Sequence, residues 1–165
     1  MSICYILGIV IFTVLINGNI LHSFFSGIIK PDLVLILVTM NSFIKSKGNS
    51  LVVAFLSGII RDFLSGQFIG LNTIINLLNV KSTEYIKERF LKSRIFMLIS
   101  ILVFNTFVKQ VIYSVVMYIF DLEFKSALPS VHIMLRNSIL NAVTGSLVYI
   151  CMYLRWNKYE RKLFV

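Results

Sequence analysis

KPDLVLILVTMNSFIKSKGNSLVVAFLSGIIRDFLSG, residues 30–66, holds two apolar runs separated by one basic turn, and its reading decides the fold. Proline is favoured at the first position of a helix, and an aspartate in the first turn meets the positive end of the helix dipole. Lys30-Pro31-Asp32 therefore predicts a helix over about 31–44, short for a membrane crossing. KSKGNS (45–50) reads as a basic turn, and a second helix is expected over about 51–65. Gly66-Gln67 marks a bend, after which a further helix is expected over about 69–86.

Outward from this stretch the pattern continues. Residues 1–29 carry no Asp, Glu, Lys or Arg, enough for one helix (about 3–21) across a hydrocarbon layer of about 30 Å. That stretch lacks a basic leading region and a small-residue cleavage site, so it reads as a span rather than a secretion signal. Further helices are expected over about 95–120 and 131–154, on either side of a turn containing Pro129. The 165 residues are 58% apolar and 14% charged, with a mean hydropathy of +0.87. That is too little polar surface for a water-soluble body, so lipid must cover the remainder. The expectation is an all-α integral membrane protein forming one domain, a compact bundle of six transmembrane helices.

The net charge of +9 does not point to nucleic acid, because the basic residues cluster between the apolar runs instead of lining one face. In a six-span arrangement, segments 45–50, 81–94 and 155–165 share one side and hold 11 of the 16 basic residues. Positive-inside bias then places both termini in the cytoplasm. Lys81, Lys87, Arg89, Lys92 and Arg94 form a basic segment expected to lie helical at the interface, against anionic lipid or a cytoplasmic partner.

Arg61, Asp62, Lys109 and Arg136 lie at depth within the expected spans. Each costs a few kcal/mol there unless paired or hydrated. Counted from the basic side, Asp62 lies about 18 Å and Lys109 about 21 Å deep, so an Asp62–Lys109 ion pair is expected. Arg61 and Arg136 are expected to snorkel toward headgroups. Gly58, Asp62, Gly66 and Gly70 recur every four residues, a spacing of small residues that suits close helix packing.

Chemistry finds no inventory. His22 and His132 stand apart with no HExxH, Asp62 has no second acid for a dyad, and Ser65 lacks a GxSxG context. No glycine-rich phosphate loop is present, and Cys4 and Cys151 lie in apolar segments without metal-ligand spacing. No enzymatic activity, cofactor or metal is expected.

KPDLVLILV (30–38) followed by LSGIIRDFLSGQFIGLNTI (56–74) resembles the bacterial rod shape-determining MreD family. The positions that carry the resemblance are Pro31, Asp32, Gly58, Asp62, Gly66, Gly70 and Leu71, with Asn72 where that family often has histidine. The resemblance implies a multi-pass protein of the bacterial cytoplasmic membrane. It would bind MreC and, through it, link MreB filaments to RodA and its penicillin-binding transpeptidase during lateral wall synthesis. It also implies a fold similar to the substrate-binding subunits of energy-coupling-factor transporters. A vitamin-binding subunit of that class is the competing reading, disfavoured because ICYILGIVIFTVLIN (3–17) contains no alanine for the docking face such subunits usually carry.

Overall fold

A computed structural model describes residues 3–16, 31–44, 47–65, 68–89, 94–120 and 131–163. They form six helices: α1 Ile3–Leu15, α2 Leu33–Ile44, α3 Lys47–Ser65, α4 Leu71–Arg89, α5 Arg94–Ile119 and α6 Val131–Leu163. The residues expected to extend α1 beyond position 16, and the turn around Pro129, lie outside the described residues.

α2 is the hub. Its sequence LVLILVTMNSFI is apolar on nearly every side, so no face of it favours water. It accordingly touches every other helix. Leu35, Ile36, Met40 and Phe43 pack against Leu98, Ile101 and Leu102 of α5. On another side Val34 joins Val10 and Val14 of α1 and Val53 of α3. Val38 meets Ala54 of α3 and Val80 of α4. The ring of Phe43 meets that of Tyr149 on α6 edge-on, 6.1 Å apart.

Two helix pairs flank this hub. α3 lies along α4, and α5 along α6. Gly58 allows the first approach: a Cβ there would stand 2.3 Å from Thr73 Cα. Gly145 serves the second pair, where a Cβ would meet the end of the Leu102 side chain at 2.4 Å.

Helix ends depart from the expected boundaries for identifiable reasons. α3 begins at Lys47, four residues before the expected Leu51, because the polar turn is tied to the end of α2. Ser50 Oγ donates to Asn41 O at 3.2 Å, and Asn41 Nδ2 donates to Asn49 O at 3.5 Å. α4 starts at Leu71 instead of residue 69, since Gly70 takes a left-handed φ of 95°. α4 runs on to Arg89, and α6 to Leu163 instead of 154, with no glycine or proline to stop them.

The distribution of polarity is inverted relative to a water-soluble domain. Asn72, Asn76, Asn79, Asn105 and Asn141 are buried, while Phe12, Phe63, Phe96, Phe104, Phe107 and Ile139 are exposed. An apolar exterior around a polar seam suits lipid as the solvent. Residues 95–119 of α5 are by themselves long and apolar enough to cross a bilayer, whereas Leu33–Ile44 is apolar but shorter.

Candidate functional site: a polar seam at one end of the bundle

The start of α2, the end of α3 and the start of α4 come together with α5, and each supplies part of a polar cluster. Asp32 precedes α2 and caps it: its Oδ1 accepts from Leu35 N at 3.2 Å, and its carbonyl from Ile36 N at 3.0 Å. A carboxylate here is favoured by the unpaired N–H groups and the dipole of the first turn. The same carboxylate takes two cations. Arg61 Nη1 from α3 sits between its oxygens at 2.8 and 3.1 Å, and Lys109 Nζ from α5 bonds to Oδ2. The backbone N–H of Asp32 donates to Asn141 Oδ1 at 2.7 Å, and Asn141 Nδ2 donates to Thr106 Oγ1 at 3.0 Å. One residue thus joins α3, α5 and α6 to the N-terminus of α2.

Asp62, next in the chain to Arg61, faces elsewhere. Oδ1 accepts from the backbone N–H of Asn72 at 2.9 Å and its Nδ2 at 3.0 Å. Oδ2 accepts from Gly70 N at 3.0 Å, Thr73 N at 3.2 Å and Thr73 Oγ1 at 2.7 Å. The carboxylate of α3 is therefore the cap of α4, satisfying backbone donors that a helix start cannot pair internally. Leu71 N goes to Phe68 O at 3.4 Å, which completes the first turn's accounting. Tyr113 then donates to Asn72 Oδ1 at 2.5 Å, and Lys109 lies 5.6 Å from the Tyr113 ring centroid. Lys109 and Tyr113, one turn apart on α5, therefore tie the two aspartate nodes together.

Two expectations are corrected here. Lys109 was expected to pair with Asp62; its ion partner is Asp32, and Asp62 instead holds the α4 N-terminus. Depth along the bilayer normal put Asp62 and Lys109 at one height, but helix rotation turned them to different neighbours. Arg61 was expected to snorkel outward, yet it turns inward to Asp32. Asp32 itself was read as a helix-start residue and a motif position, and its role as the shared anion was missed. Arg136 is exposed on α6.

The remaining motif positions fall as follows. Pro31 is buried beside Asp32, Leu71 is half-buried as the first residue of α4, and Asn72 stands between Asp62 and Tyr113. Gly66 lies outside the described residues. Of the basic segment, Lys81, Lys87 and Arg89 are exposed along α4, with Arg89 stacked 4.4 Å over Tyr85. Lys92 and the side chain of Arg94 lie outside the described residues.

A second polar cluster joins α2, α4 and α5 deeper in the bundle. Asn105 Nδ2 reaches Thr39 Oγ1 at 3.3 Å and Thr83 Oγ1 at 3.1 Å, and Ser82 Oγ donates to Asn105 Oδ1 at 2.6 Å. Asn76 Nδ2 donates to Ser57 Oγ of α3 at 3.1 Å. The sequence signal for it is the run Asn72, Asn76, Asn79, Thr83, a polar stripe at helical spacing on α4. Apart from the Asn79 amide, which is buried without a hydrogen-bond partner among the described residues, the side chains of these two clusters bond between helices, and none of them presents a nucleophile beside a base.

Compared with known families, residues 1–159 match the family model described as rod shape-determining protein MreD. No curated protein and no solved structure matches the chain.

Proposed function

The chain belongs to the MreD family of rod shape-determining membrane proteins, and from that premise we propose that it is a non-enzymatic component of the cell-elongation complex. In this reading it binds MreC and helps couple MreB filaments to lateral peptidoglycan synthesis by RodA and its transpeptidase partner. The observation that carries the reading is where the polarity goes. Asp32, Arg61, Lys109 and Asn141 are consumed in joining α2 to α3, α5 and α6, and Asp62 in joining α3 to α4. A bundle so tied is suited to presenting fixed helix faces to a membrane partner, as a scaffold does.

The proposed topology is six crossings of the bacterial cytoplasmic membrane with both termini inside, supported by the asymmetry of basic residues. α2, at 12 residues, covers about 18 Å, so its crossing draws on the flanking segments or on local thinning of the bilayer. In fold the bundle is proposed to be similar to the substrate-binding subunits of energy-coupling-factor transporters. Lys81, Lys87 and Arg89 are proposed to face anionic lipid or MreB on the cytoplasmic side. The test is co-purification: tagged protein in mild detergent should retain MreC, and depletion in a rod-shaped host should round the cells. Rod-shaped cells after depletion, with no MreC retained, would reject the proposal.

A further inference from the structure

The guanidinium of Arg61 is only partly used. Among the described residues its hydrogen bonds leave from Nη1 alone, both to Asp32. The side-on edge formed by Nε–H and Nη2 carries three of the five donors, in the fork geometry that matches a carboxylate or phosphate. The side chain is 22% exposed, and Nε and Nη2 are not among the buried polar atoms left without a partner, so this edge reaches the molecular surface.

Arg61 and Lys109 share Asp32, while Asp62 is turned to the start of α4. The surroundings say what kind of anion could approach. Leu64, one turn along the same side of α3, is 60% exposed, and Ile69 at the turn into α4 is 86% exposed. Arg61 lies four residues from the last residue of α3, about 6 Å along the axis. A cation at a helix end, rimmed by exposed apolar side chains, sits where acyl chains give way to headgroups.

We propose that the Nε/Nη2 edge of Arg61 binds the phosphate of a phospholipid headgroup, whose acyl chains lie against Leu64 and Ile69. The inference needs only the membrane location that the family establishes, and it stands or falls separately from the binding of MreC. Asp32 holds the guanidinium from one side and leaves the other edge presented, so the site is oriented before lipid arrives.

Native mass spectrometry of the full chain in detergent tests this, with dioleoylphosphatidylglycerol and dioleoylglycerol as probes. The wild type should retain the phospholipid in preference to the diacylglycerol. Arg61→Lys keeps the charge and can reach Asp32 but lacks the second fork. It should retain about tenfold less phospholipid, the equivalent of losing one charge-assisted hydrogen bond. Arg136→Lys should retain as much as the wild type. Equal retention by Arg61→Lys and the wild type would overturn the proposal, the outcome expected if the edge instead docks an acidic membrane helix. Equal retention of the two lipids by the wild type would overturn it as well, and that comparison decides alone if Arg61→Lys does not fold. Inorganic phosphate displacing the phospholipid from the wild type would mark a free-anion site and also overturn the lipid assignment.

Discussion

A carboxylate taken out of water must recover its lost hydration, and Asp32 and Asp62 recover theirs by different means. Asp62 relies on neutral donors at the start of α4, Asp32 on two cations. Asp62→Asn keeps the shape but turns an NH2 group toward N–H donors, and should cost about 2 kcal/mol in unfolding measured in detergent. An unchanged transition would refute the capping role. Asp32→Asn removes the carboxylate that Arg61 and Lys109 share, and should cost about 3 kcal/mol, as breaking buried pairs does. A double-mutant cycle separates the two partners proposed for Lys109. The coupling of Asp32 with Lys109 should exceed about 1 kcal/mol, and that of Asp62 with Lys109 should be smaller. The reverse order would restore the pairing that depth alone suggested. That earlier pairing shows how far the site was legible. Asp62 and Lys109 could be picked out as intramembrane charges from sequence, but their partners could not.

At the scale of helices, the contact between α3 and α4 rests on a missing side chain. Gly58→Ala would place a methyl group 2.3 Å from the backbone of Thr73. Backbone cannot swing aside as a side-chain tip can, so the pair must separate, and Thr73 is also a donor to Asp62. The expected loss is about 2 kcal/mol, the usual cost of overpacking. Gly145→Ala meets only the end of Leu102 and should cost less. Gly48→Ala, with open space around it, should be neutral or slightly stabilising. Thermal unfolding of the three variants checks the order, and a Gly58→Ala protein as stable as Gly48→Ala would mean that the helices are not in close contact. The four-residue spacing of small residues was readable in advance. That Gly58 is the position of closest approach, while Gly70 serves a left-handed turn, was not, because both look alike in a sequence.

For the whole molecule, the proposed topology makes a direct prediction. In a background lacking Cys4 and Cys151, Lys45→Cys, Arg94→Cys and Arg155→Cys should react with an impermeant thiol reagent only after the inner face is opened. Lys125→Cys should react from outside. Labelling of Lys45→Cys and Arg94→Cys from opposite faces would break the six-crossing arrangement.

Composition and hydropathy determined that this chain is helical and lies in a membrane, since those properties depend on which residues are present and how they alternate, while the order of residues in 30–38 and 56–74 carried the resemblance to its family. Which charge answers which was decided only by tertiary structure. A position along a helix fixes a group's height in the bilayer, whereas its partner depends on the rotation of each helix and on which neighbour it faces. Asp62 and Lys109 are expected at similar heights, but α3 turns Asp62 to the start of α4, and α5 turns Lys109 to Asp32.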